Sequence, residues 1–203
     1  MVGIKHFPLV TFILIFLYVC LFILDLTIFK GEILEWGSGK SFDNMQINEW
    51  YRLLTGSFFH QNVLHLLGNS FAIYFVGIIL ENKIGRWHFL FIYLTANIGT
   101  SIVYSKIFSY TQGTGASPGI YALIACIIIF YFHNPRFINL DFGNWAVNYT
   151  LIYFILGNFI GLSGLIVHLL GLSLGSVLTI LIINFIKKKD VKALSFINNV
   201  DDY

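Results

Sequence analysis

Charged residues are so sparse along this chain that the apolar stretches between them can be read off directly. Runs free of Asp, Glu, Lys and Arg cover 6–24 (19 residues), 53–80 (28), 87–105 (19), 107–135 (29) and 142–186 (45). An α-helix rising about 1.5 Å per residue needs roughly 20 residues to cross a hydrocarbon core about 30 Å thick. Each run is therefore long enough for one crossing, and 142–186 for two, with its break at Gly161-Leu162-Ser163-Gly164. The pattern predicts six helices, over 7–28, 63–81, 87–104, 117–133, 147–161 and 164–186. Outside them, the one sizeable segment is 29–62, with Gly31, Gly37, Gly39, four acidic residues and Trp50-Tyr51, an aromatic pair suited to a membrane-water interface. A short N-terminus, 1–6, precedes the six-helix unit 7–187 and a short polar tail, 188–203, follows it; there is no internal repeat.

Composition sharpens this into a class. Of 203 residues, 57% are hydrophobic, 18% aromatic and only 11% charged. Soluble domains carry about 25% charged residues, so a water-soluble globule is excluded and an all-α polytopic membrane protein is expected. An even number of crossings puts both termini on one side. That side carries Lys5, Lys83, Arg86, Arg136, Lys187, Lys188, Lys189 and Lys192, against Lys30, Lys40, Arg52 and Lys106 on the other. Eight against four places both termini in the cytoplasm of a multi-pass protein of the cell membrane, with the lipid bilayer as its surroundings. The same bias explains the net charge of +2 and the lysine cluster after helix six, and nucleic-acid binding is not expected. The first apolar run follows Lys5 as a signal peptide would, but it is long and lacks a small-residue cleavage site, so it is expected to stay as an anchor. Cys20 and Cys126 both fall within predicted helices and read as small buried hydrophobes.

Polar side chains at depth cost free energy in a bilayer, which makes the few in these runs informative. The second crossing opens with His60, His65 and Asn69; the fourth with Gly113-Thr114-Gly115-Ala116-Ser117-Pro118-Gly119, followed by Tyr121; the sixth with His168. Crossings two, four and six all run from the outer side inwards, so these groups share a depth near the outer leaflet. A His168 at the far end of its helix would leave it across the membrane from Ser117.

Ser117-Pro118 makes a good helix start, serine as N-cap and proline at the first helical position, and a cap alone accounts for the serine. It does not account for Gly113 and Gly115, which let backbone approach another group closely and precede a helix N-terminus whose N–H groups can face a developing anion. A serine hydroxyl becomes a nucleophile when a base removes its proton, and His168 is the histidine on a late crossing at that depth. Gly171 and Gly175 follow it on the same face, while Gly119, Ala122 and Cys126 supply small residues on crossing four. Two such faces let helices pack closely; the alternative is a packing seam with a polar hydrogen bond as glue.

His65 and Asn69, four residues apart, share a helical face. They suit either an interhelical hydrogen bond or, with backbone N–H groups, the binding of an oxyanion. His60 lies off that face and reads as structural support. No His-Glu-x-x-His occurs, which removes the main support for a zinc peptidase. His6, His88 and His133 lie near cytoplasmic helix ends, where interfacial roles suffice. Nothing points to a metal, nucleotide or redox cofactor.

Taken together, Tyr51-Arg52, His60, His65-x-x-x-Asn69, Glu81 with Gly85, Gly115-Ala116-Ser117, Tyr121 and His168-x-x-Gly171-x-x-x-Gly175 resemble the rhomboid intramembrane serine proteases in order, spacing and helix placement, over essentially the whole chain. The resemblance implies a six-transmembrane-helix rhomboid-like bundle with Ser117 as nucleophile and His168 as general base. It implies an oxyanion hole of His65, Asn69 and the Ser117 backbone N–H, Tyr121 packed on the catalytic imidazole, and Arg52 and Glu81 as structural supports. The substrates it implies are single-pass or polytopic membrane proteins cut within transmembrane segments near the outer surface, entering between helices two and five. Three positions depart from the family's pattern. Pro118 follows the serine where glycine is usual, Tyr51 precedes Arg52 where tryptophan is common, and Val167 precedes the histidine in place of a small residue. None removes a catalytic group.

Two other functions compete. A catalytically silent rhomboid-like protein would bind or escort membrane clients, but such proteins typically lack the serine or the histidine, and both are here. A small transporter would want paired intramembrane charges and an inverted repeat. Asp25, near the outer end of helix one, reads instead as a capped or snorkelling carboxylate.

Overall fold

The computed structural model describes residues 7–135, 137–138, 140–159 and 161–198, with side chains as far as Phe185. Residues 1–6, Arg136 and the lysine side chains after Phe185, on which the orientation argument draws, lie outside the described residues. The chain is helical through most of its length, with no β-strand among the described residues.

Among the described residues eight α-helices follow in order: α1 (Leu9–Leu24), α2 (Glu32–Gly37), α3 (Arg52–Thr55), α4 (Val63–Ile84), α5 (Arg86–Ile107), α6 (Ser117–His133), α7 (Trp145–Leu156) and α8 (Leu162–Asn198). Among the described residues three segments are long and apolar enough to cross a membrane: Leu9–Phe29, in which a π-turn prolongs α1, Val63–Ile84 and Leu162–Phe185. They mark the chain as an integral membrane protein. Helix α6 is shorter, and α7 ends in a 3-10 turn at Gly157–Phe159.

Local chemistry sets the helix ends. Asn62 caps α4, its side chain accepting from the His65 N–H at 2.9 Å, and Asn144 caps α7 through the Ala146 N–H at 2.9 Å. Gly85 separates α4 from α5. Within 29–62, where no periodicity predicts helices, α2 and α3 are held by tertiary bonds. The buried Arg52 guanidinium donates to the Glu35 and Ser38 carbonyls at 2.6 and 2.9 Å and pairs with Glu49 at 2.7 Å. Asp25 accepts from the Leu34 N–H at 3.0 Å, tying the end of the first span to α2.

Helix α6 sits at the centre, and every residue from Ser117 to Ile127 is buried. Helices α4, α5, α7 and α8 surround it. Cys126 is a buried free thiol within this core, and Cys20 is free and half-buried. At the opposite end of the bundle from Ser117, Glu81 near the end of α4 accepts from the Val10 and Thr11 N–H groups, both at 2.9 Å, and from the Thr11 hydroxyl at 2.7 Å. This carboxylate takes up donors that the first turn of α1 cannot pair internally, and it fixes α1 antiparallel to α4.

Helices α4 and α5 run up to three residues past the expected ends, and larger departures from the sequence expectation fall around α6, α7 and α8. The fifth predicted helix, 147–161, starts at Trp145 and gives way after Leu156 to the 3-10 turn, because Asn144 caps it early and Gly157-Asn158-Phe159 leaves the α register. The last helix begins at Leu162, after Gly161 at φ +129°, and continues to Asn198, beyond the expected end at 186. At α6, Ala116 rather than Ser117 holds the N-cap position and Ser117 is the first helical residue. The physical reason lies on α5: Asn97 Oδ1 accepts the Gly119 N–H at 3.1 Å, so the orphan donor is paired from a neighbouring helix and no cap from Ser117 is needed.

Candidate active site

The contacts at α6 fix what can meet there. A Cβ on Gly171 would stand 2.3 Å from the Pro118 carbonyl oxygen, and one on Gly175 2.3 Å from Ala122 Cα. The two contacts advance together along both chains, so α8 runs parallel to α6 with backbones touching. His168 lies three residues before Gly171, one turn nearer the start of α8, and so stands level with the start of α6. Its imidazole lies on the Tyr121 ring, centroids 4.0 Å apart and planes 9° from parallel. Helical side chains lean toward the N-terminus of their own helix, so this ring, four residues after Ser117, lies beside the serine. Ser117 and His168 are both largely buried, at 9% and 5% exposure. Among the described residues no hydrogen bond joins their side chains.

On the other flank, the loop before Ser117 is pulled against α4. The Gly115 N–H donates to the Gly56 carbonyl at 3.1 Å, and Gly113 forms a reciprocal pair of 2.7 Å bonds with Gly39. Gly115 has φ +113°, and a Cβ there would stand 2.6 Å from His65 Cε1 and Nε2 and 3.4 Å from Asn69 Nδ2. Only glycine allows both the backbone conformation and the approach. His65 and Asn69 therefore face the segment that leads into Ser117.

Asn69 is buried and tightly held. Its Oδ1 accepts the Tyr153 hydroxyl at 2.7 Å, and its amide contacts His60 Nε2 at 3.0 Å. One amide N–H goes to His60, which leaves the other available. His60 also packs edge-on to His65 and tilted on Tyr18, centroids 5.1 Å in each case. Behind α6, the Tyr18 and Tyr93 hydroxyls bond to each other, and Asn97 donates to the Tyr93 carbonyl at 2.9 Å. Among the described residues no cluster of His, Cys, Asp and Glu could hold a metal.

Sequence reasoning singled out Ser117, His168, Tyr121, His65, Asn69, His60, Gly115, Gly171 and Gly175; these gather around the first half of α6, with His168, Gly171 and Gly175 on the α8 flank and His60, His65 and Asn69 on the α4 flank. It passed over Asn97, Tyr153 and Asn158. Asn97 is the one amide side chain in the charge-free run 87–105, and the argument that polar groups at depth are informative applies to it equally. Outside the membrane, Glu49 is pulled down to about 2, first by the Gln46 backbone N–H it accepts and further by Arg52 and Lys40.

A largely buried serine thus opens the central helix of a helical membrane bundle, with a histidine on one flank and His65 and Asn69 on the other. Residues 47–185 match the Rhomboid domain, and the chain belongs to the rhomboid family. It is 26% identical over 185 residues to the putative rhomboid protease YdcA of Bacillus subtilis (strain 168), covering 88% of this chain and 90% of that protein. Over 88 residues it is 36% identical to the rhomboid protease GluP of the same strain, 43% of this chain but 17% of GluP. It is 30% identical over 95 residues to RHOMBOID-like protein 2 of Arabidopsis thaliana, 42% of this chain and 30% of that protein. The chain thus spans nearly the whole of YdcA but a small part of the other two.

Proposed function

We propose that this protein is a six-crossing intramembrane serine endopeptidase of the cell membrane, with both termini in the cytoplasm, that cuts transmembrane segments of other membrane proteins near the outer leaflet. The observation that carries the reading is the parallel seam between α6 and α8, where Gly171 lies on Pro118 and His168 on Tyr121, at the N-terminus that bears Ser117. Ser117 Oγ attacks the scissile carbonyl carbon while His168 Nε2 takes its proton. The carbonyl π electrons move to oxygen, and this oxyanion accepts from His65, the free Asn69 N–H and the Ser117 backbone N–H. Collapse breaks the C–N bond, the leaving amine takes the proton from Nε2, and water then hydrolyses the acyl-serine by the same route. His60 and Tyr153 hold Asn69, while Gly115 lets the loop meet the hole. Pro118 lacks an N–H, but its position in the first turn makes that group dispensable.

Substrate is proposed to enter between α4 and α7 by parting their aromatic seam, in which Phe75 meets Trp145 and Tyr149 at 4.6 and 4.7 Å. Polar backbone exposed by an unwound substrate strand meets there the polar cluster around Asn69. The test is cleavage of a single-pass reporter in liposomes: Ser117→Ala and His168→Ala abolish it while the folded protein is retained, and undiminished cleavage by Ser117→Ala overturns the reading. A second reading, a silent rhomboid-like protein that binds membrane clients, draws on the lack, among the described residues, of a hydrogen bond between the Ser117 and His168 side chains. A serine-directed fluorophosphonate separates the two: labelling of Ser117 supports the protease, and client capture without labelling supports the silent form.

A further inference from the structure

The 3-10 turn between α7 and α8 carries a polar side chain that no part of the mechanism above uses. Asn158 Nδ2 donates to the Phe154 carbonyl at 2.6 Å, and Asn158 Oδ1 lies 3.3 Å from His168 Nδ1. A backbone carbonyl only accepts hydrogen bonds, so the amide nitrogen must face Phe154. The amide oxygen therefore faces the imidazole, and it too only accepts. Nδ1 must then carry the proton, which leaves Nε2 with a free lone pair. The ring has a second constraint in the stacking on Tyr121, which fixes its plane but not its rotation within that plane or its tautomer.

We propose that Asn158 is the positioning residue of the site: it holds His168 in the Nδ1–H tautomer and steadies the imidazolium that forms when Ser117 gives up its proton. The inference rests on the serine-protease reading. It makes the arrangement a neutral-amide counterpart of the serine triad, as in Cys-His-Asn sites, with the third member supplied by a turn rather than a helix. An amide suits this place. A carboxylate would add a charge beside a membrane-embedded imidazole, favour its protonated form and remove the base at neutral pH.

The experiment compares Asn158→Ala and Asn158→Asp with wild type, reading kcat, KM and the pH profile of reporter cleavage in liposomes, with thermal melting as the check on folding. The titratable groups facing His168 are Tyr121 on α6 and His65 on α4, and both are unchanged in these variants. Asn158→Ala is expected to lower kcat on the order of tenfold with KM little altered. Asn158→Asp is expected to move the acid limb of the profile upward by about one unit, because a carboxylate beside Nδ1 stabilises the imidazolium. Both variants lose the bond to Phe154, so a role confined to closing the turn leaves the acid limb where it is. Should Asn158→Ala fail to fold, the near-isosteric Asp variant carries the test alone. Wild-type kcat in the Ala variant, or an unmoved acid limb in the Asp variant, overturns the assignment. Full activity in Ser117→Ala overturns the protease reading instead, whatever Asn158 does.

Discussion

The imidazole of His168 lies flat on the phenol ring of Tyr121, 4.0 Å between centroids, although 46 residues lie between them in sequence. An aromatic face in contact with the proposed base excludes water from one side and limits its rotation. The Tyr121 hydroxyl plays a separate part, donating to the Phe154 carbonyl at 3.0 Å. Tyr121→Phe keeps the face and loses the bond, so cleavage is expected to stay within about threefold while stability falls by about 1 kcal/mol. Tyr121→Leu loses the face, and aromatic stacking worth about 0.5–1.5 kcal/mol translates into a three- to tenfold lower kcat. Reporter kinetics and melting temperatures on both variants check the two roles separately.

The seam between α6 and α8 leaves no room for a methyl group. Gly175→Ala would set Cβ 2.3 Å from Ala122 Cα, a backbone atom that cannot yield without moving the helix. Overpacking of this kind costs about 1–3 kcal/mol and would draw His168 away from Ser117. The expected outcome is a lowered melting temperature together with a loss of cleavage. Gly68→Ala is the control: a Cβ there meets nothing within 4 Å, and it should behave as wild type.

Glu49 ties the segment 29–62 together, accepting from Arg52 Nε at 2.8 Å, Lys40 Nζ at 3.2 Å and the Gln46 N–H at 2.9 Å. Its folded pKa of about 2 lies below the roughly 4.3 of an unfolded glutamate. The stabilisation is present in full above the unfolded value and is lost as pH falls through that value toward 2. Melting temperature should therefore be flat in this respect above pH 5 and fall below it. Glu49→Gln, which removes the titration, should show a lower plateau and a shallower acid loss.

Much of this architecture is legible in the sequence, and the reasons differ by element. Helices α4, α5 and α6 begin at 63, 86 and 117, within one residue of expectation, because Asn62, Gly85 and the Gly-Ala-Ser-Pro run are strong local signals. The count of crossings and the small-residue faces were enough to expect α8 against α6, as the contact of Gly171 with Pro118 has it. The end of α7 was not legible: no charge marks it, and the apolar run carries on through Leu156 into Gly157. That is why Asn158, which an unbroken helix over 147–161 would place mid-helix, escaped notice. Helices α2 and α3 depend on Arg52 meeting carbonyls 14 and 17 residues away, which no local pattern records.

Asn69 is where the fold and the proposed chemistry are most directly coupled. Its Oδ1 is held by Tyr153 on α7, its amide by His60 before α4, and the remaining N–H is the donor proposed for the oxyanion. Tyr153→Phe removes the bond that joins the two helices between which substrate is proposed to enter. The amide then loses its one fixed acceptor contact and can rotate, so the donor is no longer preorganised. Asn69→Ala removes the donor outright, and loss of one oxyanion donor costs about 10²–10³ in kcat. Tyr153→Phe should give a smaller fall, on the order of tenfold, in the same parameter. The double variant should be no worse than Asn69→Ala, since Tyr153 acts through a side chain already removed. Additive losses in the double-mutant cycle would show that Tyr153 acts on substrate or on α7 by another route.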